Sequence, residues 1–426
     1  MTPASILCIL LIFLVPLASA GLTLINIGLG RSRSAAHAAL ASLCVMAVAA
    51  IAYSQCGSAW QGVPGGAGHS LTMAGKEWNW IAAEPLFLSG RLSDGSPASL
   101  AILLQMLSAG LAALIPLSSG ADRWRLSAIC ASAALLAGFT YPLFAHWVWG
   151  GGWLAQLGAS YGLGRGFVDA GGASCIQAVG GLTGLSVALI LGPRRGKYMA
   201  HGIPAAIPGH DAVVVVFGCF LALLGWLGLN SAGAILFAGA EAGRTVLIAA
   251  NTTLSAAAGV LATVAITGIR FGRPDASLCA NGWVAGLVAS SAACAFVTPA
   301  AAVAIGLIAG VLVTFTVAYI EWPLAIDDPG GAISVHAAGG LWGVLAVGIF
   351  ARIPNNAPGQ WLAQLVGIAT LVGFVLPMTY SLNWLLNRFH HQRVAPEGER
   401  QGMDLYELGA GAYPEFVTHN EEFTQQ

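Results

Sequence analysis

Eleven stretches of this chain are apolar over about 20 residues each, the length a helix needs to cross the hydrocarbon core of a bilayer. They cover 4–30, 35–54, 98–118, 126–149, 169–192, 211–231, 244–267, 277–296, 300–320, 331–351 and 361–387. In lipid the backbone must satisfy its own hydrogen bonds, so such a chain folds as packed helices. The expected fold is an all-α integral membrane protein with eleven transmembrane helices. Only 8% of its 426 residues are charged, against about 25% for a soluble domain. The net charge of −1 leaves no basic surface for nucleic acid. The 56 glycines follow no strict triplet and suit helices packed closely in a bilayer. Seven of the eight cysteines lie in apolar stretches, which is no disulfide framework.

The first stretch has no Lys or Arg before its apolar run and is expected to be a retained span rather than a signal peptide. Arg31 and Arg33 follow it, which places that loop in the cytoplasm and the N-terminus outside. Eleven crossings then put the C-terminus inside. Alternating loops divide the 17 basic residues as twelve inside and five outside. The segment 55–97 is expected outside, with Trp60, Trp78 and Trp80 as interfacial anchors and His69 solvated.

An internal repeat narrows the architecture. Asp169–Leu185 reads DAGGASCIQAVGGLTGL, and Asp328–Val344 reads DPGGAISVHAAGGLWGV. Nine of the seventeen positions match without a gap. The copies open the fifth and tenth stretches, so they enter the membrane from opposite faces. This is an inverted-topology repeat, a device that builds a site near the bilayer midplane. The expected organisation is a transmembrane domain, 1–387, and a cytoplasmic tail, 388–426. The domain divides into repeat one at about 4–192, repeat two at about 211–351, and an extra helix at 361–387.

Gln177 lies eight residues past Asp169, and His336 lies eight past Asp328. At about 1.5 Å per residue each sits about 12 Å into its helix, so the two meet near mid-depth. Gly180, Gly181, Gly339 and Gly340 let the backbones approach. Two polar side chains there face a cavity or each other. They either line a pore or form a buried hydrogen bond that joins two helices.

Several blocks carry a resemblance. They are HWVWGGGWL (146–154), GHDAVVVVFGCFLALLGWLGLN (209–230), NGWVAGLVASSAACAFVTPAAAVAIGLIAGVLV (281–313) and IDDPGGAISVHAAGGLWGVLAVGIFA (326–351). The tail adds GMDLYELGAGAYP (402–414). With these the chain resembles the ammonium transporter (Amt/Mep/Rh) family. The resemblance implies eleven helices with a 5+5 inverted repeat, a homotrimer and one narrow apolar pore per subunit. It also implies an outer ammonium recruitment site, a pair of pore histidines, and a tail that meets PII-type signal proteins. It implies no cofactor.

Carried over by position, the outer-site tryptophan matches Trp149 and the supporting acid matches Asp169. Asp169 also reads as a helix N-cap. The second pore histidine matches His336. The first is replaced by Gln177, the two capping phenylalanines fall on Ser108 and Leu229, and the outer-site serine falls on Gly233. Leu104 and Trp226 are further pore-lining candidates beside those positions.

The departures have physical consequences. Carrying an ion-sized charge into low dielectric costs on the order of 20 kcal/mol in the Born limit, so an apolar pore must strip the proton or compensate the charge. Imidazole titrates near neutrality and can relay a proton. The Gln177 amide can only donate and accept hydrogen bonds. Loss of the aromatic cap is expected to open the outer mouth and to remove roughly 0.5–2 kcal/mol of cation–π attraction per ring. The expected function is an ammonium/ammonia transporter-like channel with weak recruitment. The rivals are a non-transporting sensor or regulatory paralogue, and a channel for another small neutral molecule.

The remaining features read plainly. His146 is expected as a packed helix residue and Asp211 as a helix-start residue. No P-loop occurs. His390-His391 have no Cys or acid at ligand spacing for a metal. After Arg400 the tail carries Asp404, Glu407, Glu415, Glu421 and Glu422.

Overall fold

The computed structural model describes residues 2–92, 94–354 and 358–413. Among them, ten helices are long and apolar enough to cross a membrane, and a shorter apolar helix joins them. In chain order they are α1 (Pro3–Leu29), α2 (Ser32–Gln61), α3 (Pro97–Gly120), α4 (Leu126–Val148), α5 (Ala173–Leu191) and α6 (Ala212–Phe237). Then follow α7 (Ala242–Phe271), α8 (Ala276–Ser290), α9 (Pro299–Glu321), α10 (Ala332–Phe350) and α11 (Gln360–Phe389). Glu415, Glu421 and Glu422 lie outside the described residues.

Local chemistry sets several helix ends away from the apolar limits. α1 is interrupted at Phe13–Leu14, because Pro16 has no N–H for the carbonyl four residues back. α2 continues to Gln61 through a wide turn at Tyr53–Gly57. α8 stops at Ser290 rather than 296. There the Ser290 and Ser291 hydroxyls both donate to the Leu287 carbonyl, the local competition that loosens helix ends.

α5 and α10 begin alike. Each is preceded by a glycine at positive φ, Gly172 at +93° and Gly331 at +80°, a conformation that only glycine adopts cheaply. Each then opens with a wide turn, Ala173–Ala178 and Ala332–Ala337. Such i→i+5 turns rotate the side chains that follow and recur at functional sites. The two helices cross at small residues. A Cβ on Gly181 would collide with Ala337 N, and one on Gly340 would lie 2.5 Å from Ala173 O.

The segment after α2 is not plain coil. β1 (Gly68–Met73) and β2 (Lys76–Ala82) form an antiparallel hairpin. Its turn uses Ala74 and Gly75, both at positive φ, as a tight two-residue connection requires. Trp78 and Trp80 help fasten this hairpin to the protein. Trp78 stacks on Trp153 with ring centroids 4.7 Å apart and donates to the Tyr161 hydroxyl at 3.0 Å. Trp147 Nε1 donates to the Trp80 carbonyl at 2.7 Å. His69 is exposed, as expected.

The opposite end carries the tail. Asp404 accepts from Ala36 N and His37 N at 3.1 and 2.7 Å, so it caps the start of α2. Glu407 accepts from Leu126 N at the start of α4 and pairs with His37 Nε2, both at 2.9 Å. Beside this dock, Arg194 grips Asp327 with Nε and Nη2 at 2.9 and 3.0 Å, the bidentate geometry of a strong ion pair. Burial would raise the Asp327 carboxyl, but Arg194 and Arg123 hold it below the usual carboxylate value.

Candidate functional site

The repeat places Asp169 on the hairpin face and Asp328 on the tail face, each at the mouth of its helix. Asp169 Oδ1 accepts from Gly172 N and Ala173 N at 2.8 and 2.9 Å. Its Oδ2 accepts from Ser174 N, Ser174 Oγ and Cys175 N. Asp328 Oδ2 accepts from Ile333 N, Ser334 N and Ser334 Oγ, while its Oδ1 takes the Ser119 hydroxyl. Both carboxylates are therefore committed to helix starts. The N-cap reading of Asp169 holds, and it leaves little of that charge for a ligand.

Between the two mouths, the wide turns deliver Gln177 and His336 to one another. His336 Nδ1 and Gln177 Oε1 are 2.7 Å apart. An amide oxygen only accepts, so Nδ1 carries the proton in this pairing and Nε2 keeps a lone pair. Gln177 is fully buried and its Nε2 has no partner. The expected meeting of the two side chains is observed, in direct contact.

On the hairpin face, a cavity of about 140 Å³ is lined by Trp149, Asp169, Arg165, Phe167 and Phe237, among others. Trp149 Nε1 donates to the Asp169 carbonyl at 2.7 Å. Phe237 lies flat on the indole, with centroids 4.4 Å apart and 12° between planes. The ring is thereby 2% exposed. Arg165 brings a full positive charge to the same cavity. Neither Arg165 nor Phe237 was selected from the sequence. Arg165 stood out only as an external basic residue, and nothing in the local pattern marked Phe237 as a partner of Trp149.

The other candidates do not join this cavity's lining. Ser108 and Leu229, where the resemblance puts the capping rings, are fully buried. Ser108 Oγ has no hydrogen-bond partner. A Cβ on Gly233 would lie 2.5 Å from Ala170 O, so the backbone of the α5 entrance occupies the place a hydroxyl would take. Leu104 is buried, and Trp226 is buried with Nε1 donating to Ser291 Oγ at 3.1 Å. His146 is a packed helix residue as expected, with Nδ1 against Gln61 O at 2.7 Å and Nε2 against Asn79 Oδ1 at 3.0 Å. Asp211 caps α6 through Val213 N and Val214 N.

A second, smaller cavity lies on the tail side of the pair. It is lined by Asn26, Ser118, Asn281, Gly330 and His336, with apolar neighbours from α1, α3, α8 and α10. Sequence reasoning missed Asn26 and Asn281. A polar amide inside each of two apolar stretches was the available signal.

Comparison with known proteins agrees with this architecture. The profile described as Ammonium Transporter Family matches residues 6–413. Ammonium transporter Amt2 of Archaeoglobus fulgidus is 36% identical, across 95% of this chain and 87% of its own length. An ammonium transporter of Bacillus subtilis is 30% identical, across 95% and 96%. Among solved structures, one titled Sensor Amt Protein superposes with a TM-score of 0.85 at 28% identity, covering 95% of this chain and 98% of that one. Candida albicans Mep2 shares the fold with a TM-score of 0.80 at 22% identity, covering 97% and 90%. A profile match over nearly the whole length, on a helical frame whose repeated entrances meet at Gln177 and His336, makes this chain a multi-pass membrane protein of the ammonium transporter (Amt/Mep/Rh) family.

Proposed function

We propose that this protein is a conduit for ammonia or ammonium whose pore departs from the family pattern, with a Gln–His pair in place of twin histidines and weak recruitment of the cation. The observation that carries the reading is the 2.7 Å bond between His336 and Gln177 at the crossing of the repeats, with His336 also lining a cavity beyond it. A neutral hydrogen-bonding molecule can pass such a pair by exchanging partners. A cation gains little on the approach. Trp149 is covered by Phe237, the Asp169 carboxylate is spent on backbone N–H groups, and Arg165 repels positive charge.

In this reading the hairpin face is external, the tail face is cytoplasmic, and the protein sits in the cell (inner) membrane as a homotrimer. Exposed Phe217 and Phe220 on α6, Val246 and Leu261 on α7 and Phe315 on α9 supply apolar surface for neighbouring subunits and lipid. The tail dock, spanning the starts of α2 and α4, is the expected meeting place for a PII-type signal protein.

The test is flux into proteoliposomes under ammonium, methylammonium and carbon dioxide gradients. The expected result is ammonia-dependent alkalinisation with little ammonium current. Ordinary high-affinity ammonium uptake contradicts the weak-recruitment part. A second reading, a non-transporting regulatory paralogue, is favoured by the 28% identity to the structure titled Sensor Amt Protein. Flux of none of the three would select it.

A further inference from the structure

Polar groups without partners gather at the hairpin-side end of α2. Its last turn holds Ser58 and Gln61, which are 1% and 0% exposed. Three residues apart, they share a helix face. Ser58 Oγ, Gln61 Oε1 and Gln61 Nε2 have no hydrogen-bond partner among the described residues. Arg91 reaches the same turn, with Nη1 donating to Ser58 O at 2.9 Å. Its side chain is 9% exposed, yet its Nη2 is also unpartnered. Glu84 stands beside it, but Nε and Oε2 are 3.8 Å apart, beyond hydrogen-bond reach. Buried polar groups are nearly always paired, so an orphaned guanidinium nitrogen among orphaned neighbours points to an occupant.

A cavity of about 230 Å³ opens at Arg91, and its other polar lining is Glu84, Asp94, Ser96 and Ser99. Asp94 Oδ1 accepts from Ser96 N at 3.2 Å and from Ser99 Oγ at 2.8 Å. Ser99 Oγ also lies 2.9 Å from Arg91 O, so one hydroxyl ties the acid to the arginine's backbone. Asp94 is exposed, and its Oδ2 takes no hydrogen bond from the described residues. The space far exceeds the roughly 10–15 Å³ that one water needs, so it suits a molecule of several non-hydrogen atoms. Its walls carry one positive and two negative side chains. A lone anion there meets Glu84 and Asp94, and a lone cation meets Arg91. A molecule with both charges on neighbouring groups satisfies all three.

We infer that this cavity binds a small α-amino acid as its zwitterion, with the carboxylate on Arg91 Nη2 and the ammonium group held by Asp94 Oδ2 and Glu84. A carboxylate is the acceptor that a guanidinium nitrogen pairs with most strongly. An ammonium group brings three donors and no acceptor, which matches carboxylate oxygens that lack donors. The cavity shares no lining residue with the one beside Trp149. The site therefore stands or falls apart from the conduit reading.

The experiment is titration calorimetry on the full chain in detergent, with glycine, L-alanine and L-serine as probes and acetate and ethylammonium as single-charge controls. The expected result is saturable binding of at least one amino acid and of neither control. Asp94→Asn and Arg91→Gln should each weaken that binding about tenfold or more, as the loss of one charge-assisted hydrogen bond implies. Both variants are first checked for a monodisperse elution profile. Asp94 is exposed, so Asp94→Asn decides the matter if the buried Arg91→Gln variant fails to fold. Acetate or ethylammonium binding as tightly as the amino acids overturns the zwitterion assignment. No saturable heat with any of the three amino acids, or an affinity that Asp94→Asn leaves unchanged, overturns the site.

Discussion

The hairpin-side and tail-side mouths are two copies of one device, and they have been finished differently. In both, an aspartate caps a wide-turned helix start, a glycine at positive φ follows, and a polar residue reaches the crossing. The hairpin-side mouth then closes over its own chemistry. Asn230 Nδ2 is tied to Thr252 and Ser290, Trp149 is stacked under Phe237, and Arg165 brings a positive charge to the cavity lining. The tail-side mouth keeps two amides and an imidazole edge turned into a small cavity. Scaffold and lining are thus separable: the repeat fixes where a site can be, and a few neighbours decide what that site accepts.

Substitutions can break this comparison, and the largest effect should come from the shared scaffold. Asp169→Ala strips a buried carboxylate from five backbone or hydroxyl partners on Gly172, Ala173, Ser174 and Cys175. The loss should be about 3 kcal/mol or more, since each charge-assisted bond is worth roughly 1.5–3 kcal/mol. Asp328→Ala, with fewer backbone partners, should lose less. Scanning fluorimetry of purified protein should rank Asp169→Ala below Asp328→Ala in midpoint, and equal midpoints would dissolve the asymmetry.

Next comes the pair at the crossing. Gln177→His supplies a second titratable ring and should raise ammonium-dependent current about tenfold on planar bilayers. His336→Ala should lower any flux by a similar factor. If removing both polar side chains leaves flux untouched, the bond is only an inter-helix link.

A smaller effect is expected at Arg165. Removing this charge with Arg165→Gln should lower the half-saturating ammonium concentration roughly two- to fivefold at low ionic strength, and less at high salt because exposed charges are screened over about 10 Å at 0.1 M. A response independent of salt would mean that Arg165 shapes the cavity sterically.

The smallest effect concerns the tail dock. Burial would raise the Glu407 carboxyl, but His37, the Leu126 N–H and Arg125 hold it below its ordinary value. A depressed carboxyl contributes stability that is present above its unfolded value of about 4.3 and is lost as pH falls through the lower folded value. Hydrogen exchange across 396–413 should therefore stay slow at neutral pH and accelerate below about pH 4, while the helices around Gln177 remain protected. Acceleration beginning above pH 5 would place the sensitivity elsewhere.

Much of this was legible in the chain. Eleven apolar stretches gave the helices because lipid leaves the backbone no other partner. The ungapped match of Asp169–Leu185 with Asp328–Val344 gave the inverted pairing, since eight residues of helix reach the same depth from either face. Element ends were less legible. Pro16 interrupts α1, and serines terminate α8, through local hydrogen bonding that hydropathy does not register. The hairpin at 68–82 was missed although its Ala74–Gly75 turn was in view. The non-aromatic residues at 108 and 229 were in view, but that both are fully buried was not.

The sequence alone determined that this chain spans a membrane, that its halves are inverted copies, and that Gln177 and His336 share a depth. These follow from length, composition and register, which are properties of one strand of text. Only the tertiary structure decided that Phe237 covers Trp149, that Arg165 faces the same cavity, and that Asn230 Nδ2 reaches Thr252 and Ser290 on two other helices. Those outcomes depend on which side chains from distant helices reach a common point, and no local spacing encodes that convergence.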